Sequence, residues 1–112
     1  MREQRPWGYY DVLFEGPGLK AKKITVQPGG KLSMQRHQYR DEFWMFTHGI
    51  GLMTHDEVSM VFPGEYHYIS AGDIHRIENP SSISDLVFFE IQLGKILDEN
   101  DIERISDVYG RK

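Results

Sequence analysis

Side chains that can bind a metal ion are concentrated in one short stretch of the first half of the chain. Gln35, His37 and Tyr39 occupy alternate positions, so in a β-strand they would project from one face. Glu42 follows after a short connection and has the same strand parity as Trp44, whose apolar ring favours an interior position. This stretch therefore predicts an imidazole, a carboxylate and an amide or phenol that point into the protein.

A second stretch adds another imidazole, because His75 shares its strand parity with Ile77 and should also point inward. The chain has no cysteine, so a metal ion would be held by imidazole, carboxylate or amide groups. Two imidazoles, a carboxylate and an amide or phenol suit a borderline divalent cation with an open coordination position. Each residue alone is better explained as a hydrogen-bonded interior residue, and only the joint pattern favours a metal site.

The composition limits the classes of partner. The chain has 112 residues, of which 39% are hydrophobic and 27% charged, and this suits one domain with one core. With a formal net charge of -4 and scattered basic residues, it lacks the clustered cations that nucleic-acid binding requires. The sequence has no apolar run long enough to span a bilayer and no signal-peptide core at its start. We expect a cytoplasmic protein with no nucleic-acid or membrane partner.

Short β-strands must position these residues. Segments rich in β-branched and aromatic residues alternate with Gly, Pro, Asn and Asp, as in all-β domains. Strands are predicted at 8–14, 19–26, 31–37, 42–47, 50–54, 57–62, 66–69, 75–79 and 86–93. So many short strands must close into a barrel or pair as two sheets, since open edges invite aggregation. Only the tail, at 98–105, has a pattern that permits a helical turn.

Several motifs, in order along the chain, resemble a known family. They are Arg5-Pro6-Trp7-Gly8, the segment 28–37, the spacing of Gly64, Gly72, His75 and Asn79, and the closing segment 107–111. Together they resemble the cupin superfamily and, more narrowly, the C-terminal cupin domain of type II mannose-6-phosphate isomerases, which often follows a mannose-1-phosphate guanylyltransferase. The resemblance implies a cupin double-stranded β-helix, or jelly-roll barrel, over residues 1–112, with a helical or irregular tail.

The resemblance also implies a set of metal ligands. His37, Glu42 and His75 stand at ligand positions of the family, whereas Tyr39 stands where the family usually has histidine. Either Gln35 or Tyr39 must fill that place. Gln35 is favoured because its amide oxygen binds without losing a proton, while a phenol must give up a proton with a pKa near ~10. The expected cofactor is a divalent ion, with zinc as the first candidate and other ions open.

The activity that the resemblance implies is conversion of mannose 6-phosphate to fructose 6-phosphate through an enediol. Lys22, Tyr39 and Glu90 are unranked candidates for the catalytic base, and Lys22 and Arg76 are candidates for binding the sugar phosphate. Arg76 has the opposite parity to His75, which argues against a direct contact. The alternative hypothesis is a non-catalytic sugar-phosphate-binding module.

Aromatic residues give two further expectations. Trp44, Phe46, Phe62 and Phe88 are predicted to belong to the core. The segments 66–69 and 86–93 carry aromatic side chains on both parities, more than one interior can bury. We therefore expect a homodimer.

Overall fold

The computed structural model describes residues 2–111, which form two antiparallel β-sheets. The first sheet has the strand order β1-β2-β3-β10-β5-β8 and the second the order β11-β4-β9-β6-β7. This is the all-β jelly-roll barrel that the sequence predicts, and within the described residues no helix could cross a membrane. The strands are β1 (Arg2–Arg5), β2 (Gly8–Gly16), β3 (Leu19–Val26), β4 (Met34–Arg36), β5 (Asp41–His48), β6 (Gly51–His55), β7 (Glu57–Val61), β8 (Tyr66–Ile69), β9 (His75–Glu78), β10 (Leu86–Leu93) and β11 (Glu103–Ser106).

Tight turns join the strands at residues that tolerate a positive φ angle. Asp56, with φ of 67°, links β6 to β7 and leaves His55 opposite Glu57 in the hairpin. Gly64 and Gly72 have φ angles of 94° and 89° in the turns before β8 and β9, a backbone region that costs glycine little. These turns return each short strand to its neighbour and so close the barrel.

The predicted strands 19–26, 66–69 and 86–93 have the observed bounds. The sequence analysis did not predict β1 and β11. The helical turn that the pattern at 98–105 permits is wrong, because part of this segment forms β11, which pairs with β4 and adds a strand to the second sheet. In that pairing Arg104 lies opposite Gln35, which brings the tail next to the residues with ligand chemistry. The tail is therefore part of the barrel wall.

The inner surface of the barrel divides into an apolar half and a polar half. In the apolar half, the Trp44 and Phe88 ring centroids are 4.6 Å apart and those of Phe46 and Phe88 are 5.1 Å apart. The expectation that Phe62 joins this core is wrong, because it follows the end of β7 and is 45% exposed. The polar half is built from Lys20, Lys22, Glu42, His75, Glu90 and Gln92, all buried.

Strand register explains this division. The inward positions of β3 and β10 change from polar to apolar at matching places, with Lys22 opposite Glu90 and Ile24 opposite Phe88. On the other side of β10, Glu90 lies opposite Trp44 in β5. Because antiparallel neighbours keep their register, the polar positions of the strands gather at one end of the barrel.

The expected homodimer stays a prediction. Strand β8 forms one edge of the first sheet, and it exposes Tyr66 and Tyr68, at 65% and 50%. Exposed aromatic side chains on a sheet edge are compatible with association between copies of the chain.

Candidate metal centre and adjoining cavity

Three predicted ligands converge at the polar end of the barrel. One ligand atom from each of His37, Glu42 and His75 lies within 4.8 Å of the others. His37 Nε2 is 3.2 Å from Glu42 Oε2, and His75 Nε2 is 3.9 Å from Glu42 Oε1. All three side chains are buried. Residues from two strands and one loop thus form a compact group of two imidazoles and a carboxylate.

Main-chain carbonyls fix the orientation of both imidazoles. His37 Nδ1 lies 2.7 Å from the carbonyl oxygen of Asp101, and His75 Nδ1 lies 3.0 Å from that of Asp73. A carbonyl oxygen only accepts, so each Nδ1 carries the proton and each Nε2 is an unprotonated acceptor on the side of Glu42. Burial lowers the pKa of His37 and lowers that of His75 to about 4. Both rings are therefore neutral at neutral pH, the form in which histidine binds a metal ion.

The residues present fit a divalent ion. His75 Nε2 is fully buried and has no hydrogen-bond partner among residues 2–111, a situation that costs free energy unless a ligand satisfies the atom. Two neutral imidazoles and a carboxylate are the donor types that zinc and similar ions prefer. Gln35 is buried and lies opposite His75 in the register of β4 and β9.

Arg40 is a member of this centre that the sequence analysis missed. Its Nε donates to Glu42 Oε2 at 2.8 Å, and its Nη2 donates to His37 Nε2 at 3.4 Å. The guanidinium is buried and contacts two of the atoms that a metal ion would use. Arg40 shares strand parity with Glu42, and this was the available signal for an inward side chain.

A small cavity of about 100 Å³ adjoins the centre. Its lining contains five cationic side chains but the carboxyl groups of only Glu90 and Glu99, although the whole chain has a formal net charge of -4. The Nε of one of these cations, Arg104, is buried and has no acceptor within residues 2–111. The cavity is therefore suited to an anionic ligand. The cationic residues are Arg5, Lys22, Arg40, Arg104 and Arg111.

Lys22 and Glu90, both predicted site residues, lie at this cavity. Lys22 Nζ is 2.9 Å from Glu99 Oε1 and 4.1 Å from the centroid of the Tyr10 ring. The Glu90 carboxyl accepts a hydrogen bond of 2.9 Å from Gln92 Nε2. Burial, reinforced by the negative charge of Glu42, raises the pKa of Glu90 to about 7. Burial therefore favours the neutral form of the Glu90 carboxyl.

The alternation predicted that Tyr39 shares the inner face with Gln35 and His37. In the structure it does not. Strand β4 ends at Arg36, so strand parity is lost in the following loop, and Tyr39 is 51% exposed. It lines a second, outer cavity of about 450 Å³, which His37 also borders. Tyr39 is therefore absent from the lining of the inner cavity, the cavity that Gln35 and His37 share.

Arg76 also lies away from the cavity. This agrees with its strand parity, which is opposite to that of His75, and does not support the role in sugar-phosphate binding for which Arg76 was a candidate. Its Nε donates to the carbonyl oxygen of Leu32 at 3.1 Å, and its Nη2 lies 3.4 Å from both oxygens of Ser106. The guanidinium thus joins β9 to the segments on either side of it on the outer face of the second sheet.

Solved structures share this fold. A Klebsiella pneumoniae protein described as having a double-stranded β-helix domain superposes with a TM-score of 0.79 at 13% identity, covering 96% of this chain and 86% of its own. At this identity the likeness establishes the fold alone. It confirms the double-stranded β-helix, the fold of the cupins.

Curated relatives correct the expected activity. The alginate biosynthesis protein AlgA of Pseudomonas putida is 44% identical, and the mannose-1-phosphate guanylyltransferase of Escherichia coli K12 is 40% identical. Both matches cover 96% of this chain and 22% of the relative, so the chain spans about a fifth of their length. The expectation that this chain is a mannose-6-phosphate isomerase is wrong, because these relatives are named for guanylyl transfer and polysaccharide biosynthesis.

The family itself is identified by a match that extends over residues 1–107. This range includes every strand of the described residues 2–111, together with His37, Glu42 and His75. The resemblance seen in the motifs is thereby confirmed. The chain belongs to the family described as mannose-6-phosphate isomerase C-terminal.

Proposed function

We propose that this domain binds a divalent metal ion and a phosphorylated sugar side by side inside the barrel, as the cupin part of an enzyme of mannose-phosphate metabolism. One observation carries the proposal: a buried group of two histidines and a glutamate adjoins, through His37, a cavity lined by an excess of cations. The names of the family and of the Escherichia coli relative, which both refer to phosphorylated mannose, support the choice of sugar.

In this proposal His37, Glu42 and His75 hold the metal ion and Gln35 supplies the fourth ligand. A bound divalent ion supplies a Lewis acid that can hold and polarise oxygen atoms of a sugar. The Nδ1 hydrogen bonds of the two histidines keep their Nε2 atoms directed at the ion. The fixed tautomers therefore prepare the ligands before the ion arrives.

The cations of the cavity would hold the phosphate group. Lysine and arginine side chains make charge-assisted hydrogen bonds to phosphate oxygens, and these are stronger inside a protein than in water. Arg104 Nε already lacks an acceptor within the described residues. Glu90, with a pKa of about 7, can accept from or donate to a sugar hydroxyl at neutral pH. Metal ion, phosphate site and carboxyl group would thus contact three different parts of one small ligand.

Calorimetry with purified protein tests this function. We expect about one zinc or manganese ion per chain and saturable binding of mannose 6-phosphate or mannose 1-phosphate to the metal-loaded protein. In His75→Ala, metal affinity should fall by more than the roughly 10–100-fold that follows loss of an outer-shell partner. His48→Ala is the matched control, because His48 is exposed at the end of β5. Absence of saturable binding of both sugar phosphates to metal-loaded wild type would refute the proposal.

A further inference from the structure

The tail places a carboxylate directly against two buried lysines. Glu99 Oε2 lies 3.0 Å from Lys20 Nζ and 2.9 Å from Lys22 Nζ, and Oε1 lies 2.9 Å from Lys22 Nζ. Burial alone would raise the pKa of Glu99, but the two ammonium groups hold it at about 2. Glu99 is therefore an anion that occupies a cationic site.

Lys20 and Lys22 lie in a strand of the barrel, whereas Glu99 lies in a connection between strands. The Lys22 and Lys20 side chains are 5% and 10% exposed, and both project inward from β3. Glu99 lies in the connection between β10 and β11, with a side chain that is 41% exposed. A buried ammonium group needs an anionic partner. The one other carboxylate within 4 Å of these lysines among residues 2–111 is Glu15, 3.7 Å from Lys20.

The small volume of the cavity also indicates that the Glu99 side chain occupies space that a ligand could fill. Small-molecule sites typically enclose about 300–1,000 Å³, whereas this cavity encloses about 100 Å³. Glu99 is part of its lining and stands beside Lys22. Withdrawal of this one side chain would enlarge the cavity and expose the ammonium groups.

Glu99 can leave without breaking a strand. Its neighbours in the tail hold the loop that carries His37: the Asp98 carbonyl accepts from Arg40, and the Asp101 carboxylate accepts from the main-chain N–H groups of Gln38 and Tyr39. These contacts use Asp98 and Asp101, not Glu99. The Glu99 side chain can therefore change rotamer while the rest of the tail stays docked.

We propose that Lys20 and Lys22 form the phosphate subsite of this domain and that Glu99 is its internal occupant, displaced when a phosphate group binds. The inference rests on the proposed function. It adds that the contact of Glu99 with Lys20 and Lys22 inhibits phosphate binding. Because Glu99 and phosphate compete for the same ammonium groups, the apparent phosphate affinity is reduced by the fraction of molecules in which Glu99 occupies the subsite. The domain in this closed state therefore binds phosphate less tightly than its lysines permit.

Titration calorimetry with inorganic phosphate and with mannose 6-phosphate, on the full chain, tests the inference. Glu99→Gln keeps the size of the side chain and removes its charge, and should raise the affinity for inorganic phosphate by at least about tenfold. Glu103→Gln is the matched control, since Glu103 is exposed and pairs with Arg36 on the outside. Adding Lys22→Met to Glu99→Gln should abolish the gain. An unchanged or weaker phosphate affinity in folded Glu99→Gln would overturn the inference.

The two proposals can fail separately. If mannose 6-phosphate binds wild type and Glu99→Gln equally well, the proposed function stands and the internal occupant is refuted. If inorganic phosphate binds Glu99→Gln but no sugar phosphate binds any variant, the subsite stands and the proposed function fails. If Glu99→Gln does not fold, Glu99→Asp decides, because its shorter side chain keeps the charge but reaches the two lysines less well: its affinity for inorganic phosphate should exceed that of wild type, and an unchanged affinity would refute the inference.

Discussion

His37 donates its Nδ1 proton to the main-chain carbonyl of Asp101, 2.7 Å away and 64 positions later in the sequence. The Asp101 carboxylate also accepts from the main-chain N–H groups of Gln38 and Tyr39, each at 2.9 Å. One tail residue thus fixes both the ring of a proposed metal ligand and the loop that carries it. In the proposed metal centre, the orientation of His37 therefore depends on docking of the tail.

Asp101→Ala should therefore weaken metal binding although Asp101 does not touch the ion. Loss of the two loop hydrogen bonds frees the backbone beside His37, and we expect about a 10–100-fold loss of zinc affinity. Competition with a chromogenic chelator measures it. Glu103→Ala is the control, because Glu103 lies in the same tail and pairs with Arg36 at the surface. Equal zinc affinities for Asp101→Ala and wild type would show that the tail does not position His37.

Gln35 and Tyr39 give a direct comparison for the fourth ligand. Gln35 is 8% exposed and lines the cavity, while Tyr39 is 51% exposed outside it. Gln35→Ala should thus reduce zinc affinity by about tenfold or more, and Tyr39→Phe should leave it within error. Both variants are measured by the same chelator competition. The reverse order of effects would assign the ligand role to the phenol.

Strand alternation predicted the ligand group because His37, Glu42 and His75 lie in or beside regular strands with apolar neighbours of known parity. It failed for Tyr39 because β4 ends at Arg36 and the loop beyond it has no fixed period. The tail strand β11 was missed because the segment 103–106 is short and lacks clear alternation, so its pairing with β4 decides its structure.

The role of Glu99 was beyond sequence reasoning for a different reason. It contacts Lys22 from 77 positions away, and no local pattern encodes a contact of that range. Arg40 had a usable parity signal, but its contact with Glu42 depends on how the loop folds back. Strand periodicity therefore predicts candidate ligands that lie in strands. It does not predict contacts made to those ligands by residues of loops and of the tail.

Arg40 and a metal ion should compete for the same atoms. Arg40→Met removes a guanidinium that binds Glu42 Oε2 and contacts His37 Nε2. Breaking a buried ion pair from one side costs about 3–5 kcal/mol, so the metal-free variant should unfold at lower temperature. Its zinc affinity should rise, because no cation then competes for Glu42. Arg36→Met, at an exposed ion pair on β4, is the control. A lower zinc affinity in Arg40→Met would mean that Arg40 positions Glu42 for the metal.

Acid should release the tail carboxylate from its lysines. Because the pKa of Glu99 is held at about 2 in the folded protein and is about 4.3 in an unfolded chain, the unfolded state binds more protons between these values. The contribution of Glu99 to stability is thus fully present above pH ~4.5 and is lost as the pH falls towards about 2. Lys20, Lys22, Glu15, Tyr10 and Arg40 are the charged or titratable groups around it.

Thermal unfolding of wild type and Glu99→Gln between pH 6 and pH 2.5 measures this contribution. Both proteins should lose stability in acid, because the pKa of Asp107 is also lowered to about 2 by its hydrogen bonds with Arg111. The difference in unfolding temperature between the two proteins should be constant above pH ~4.5 and should shrink below it. The difference should also diminish at high salt, since the Glu99 side chain is 41% exposed and its ion pairs are partly screened. A difference that stays constant down to pH 2.5 would mean that the folded-state pKa of Glu99 is not lowered and that the two lysines do not bind it as an anion.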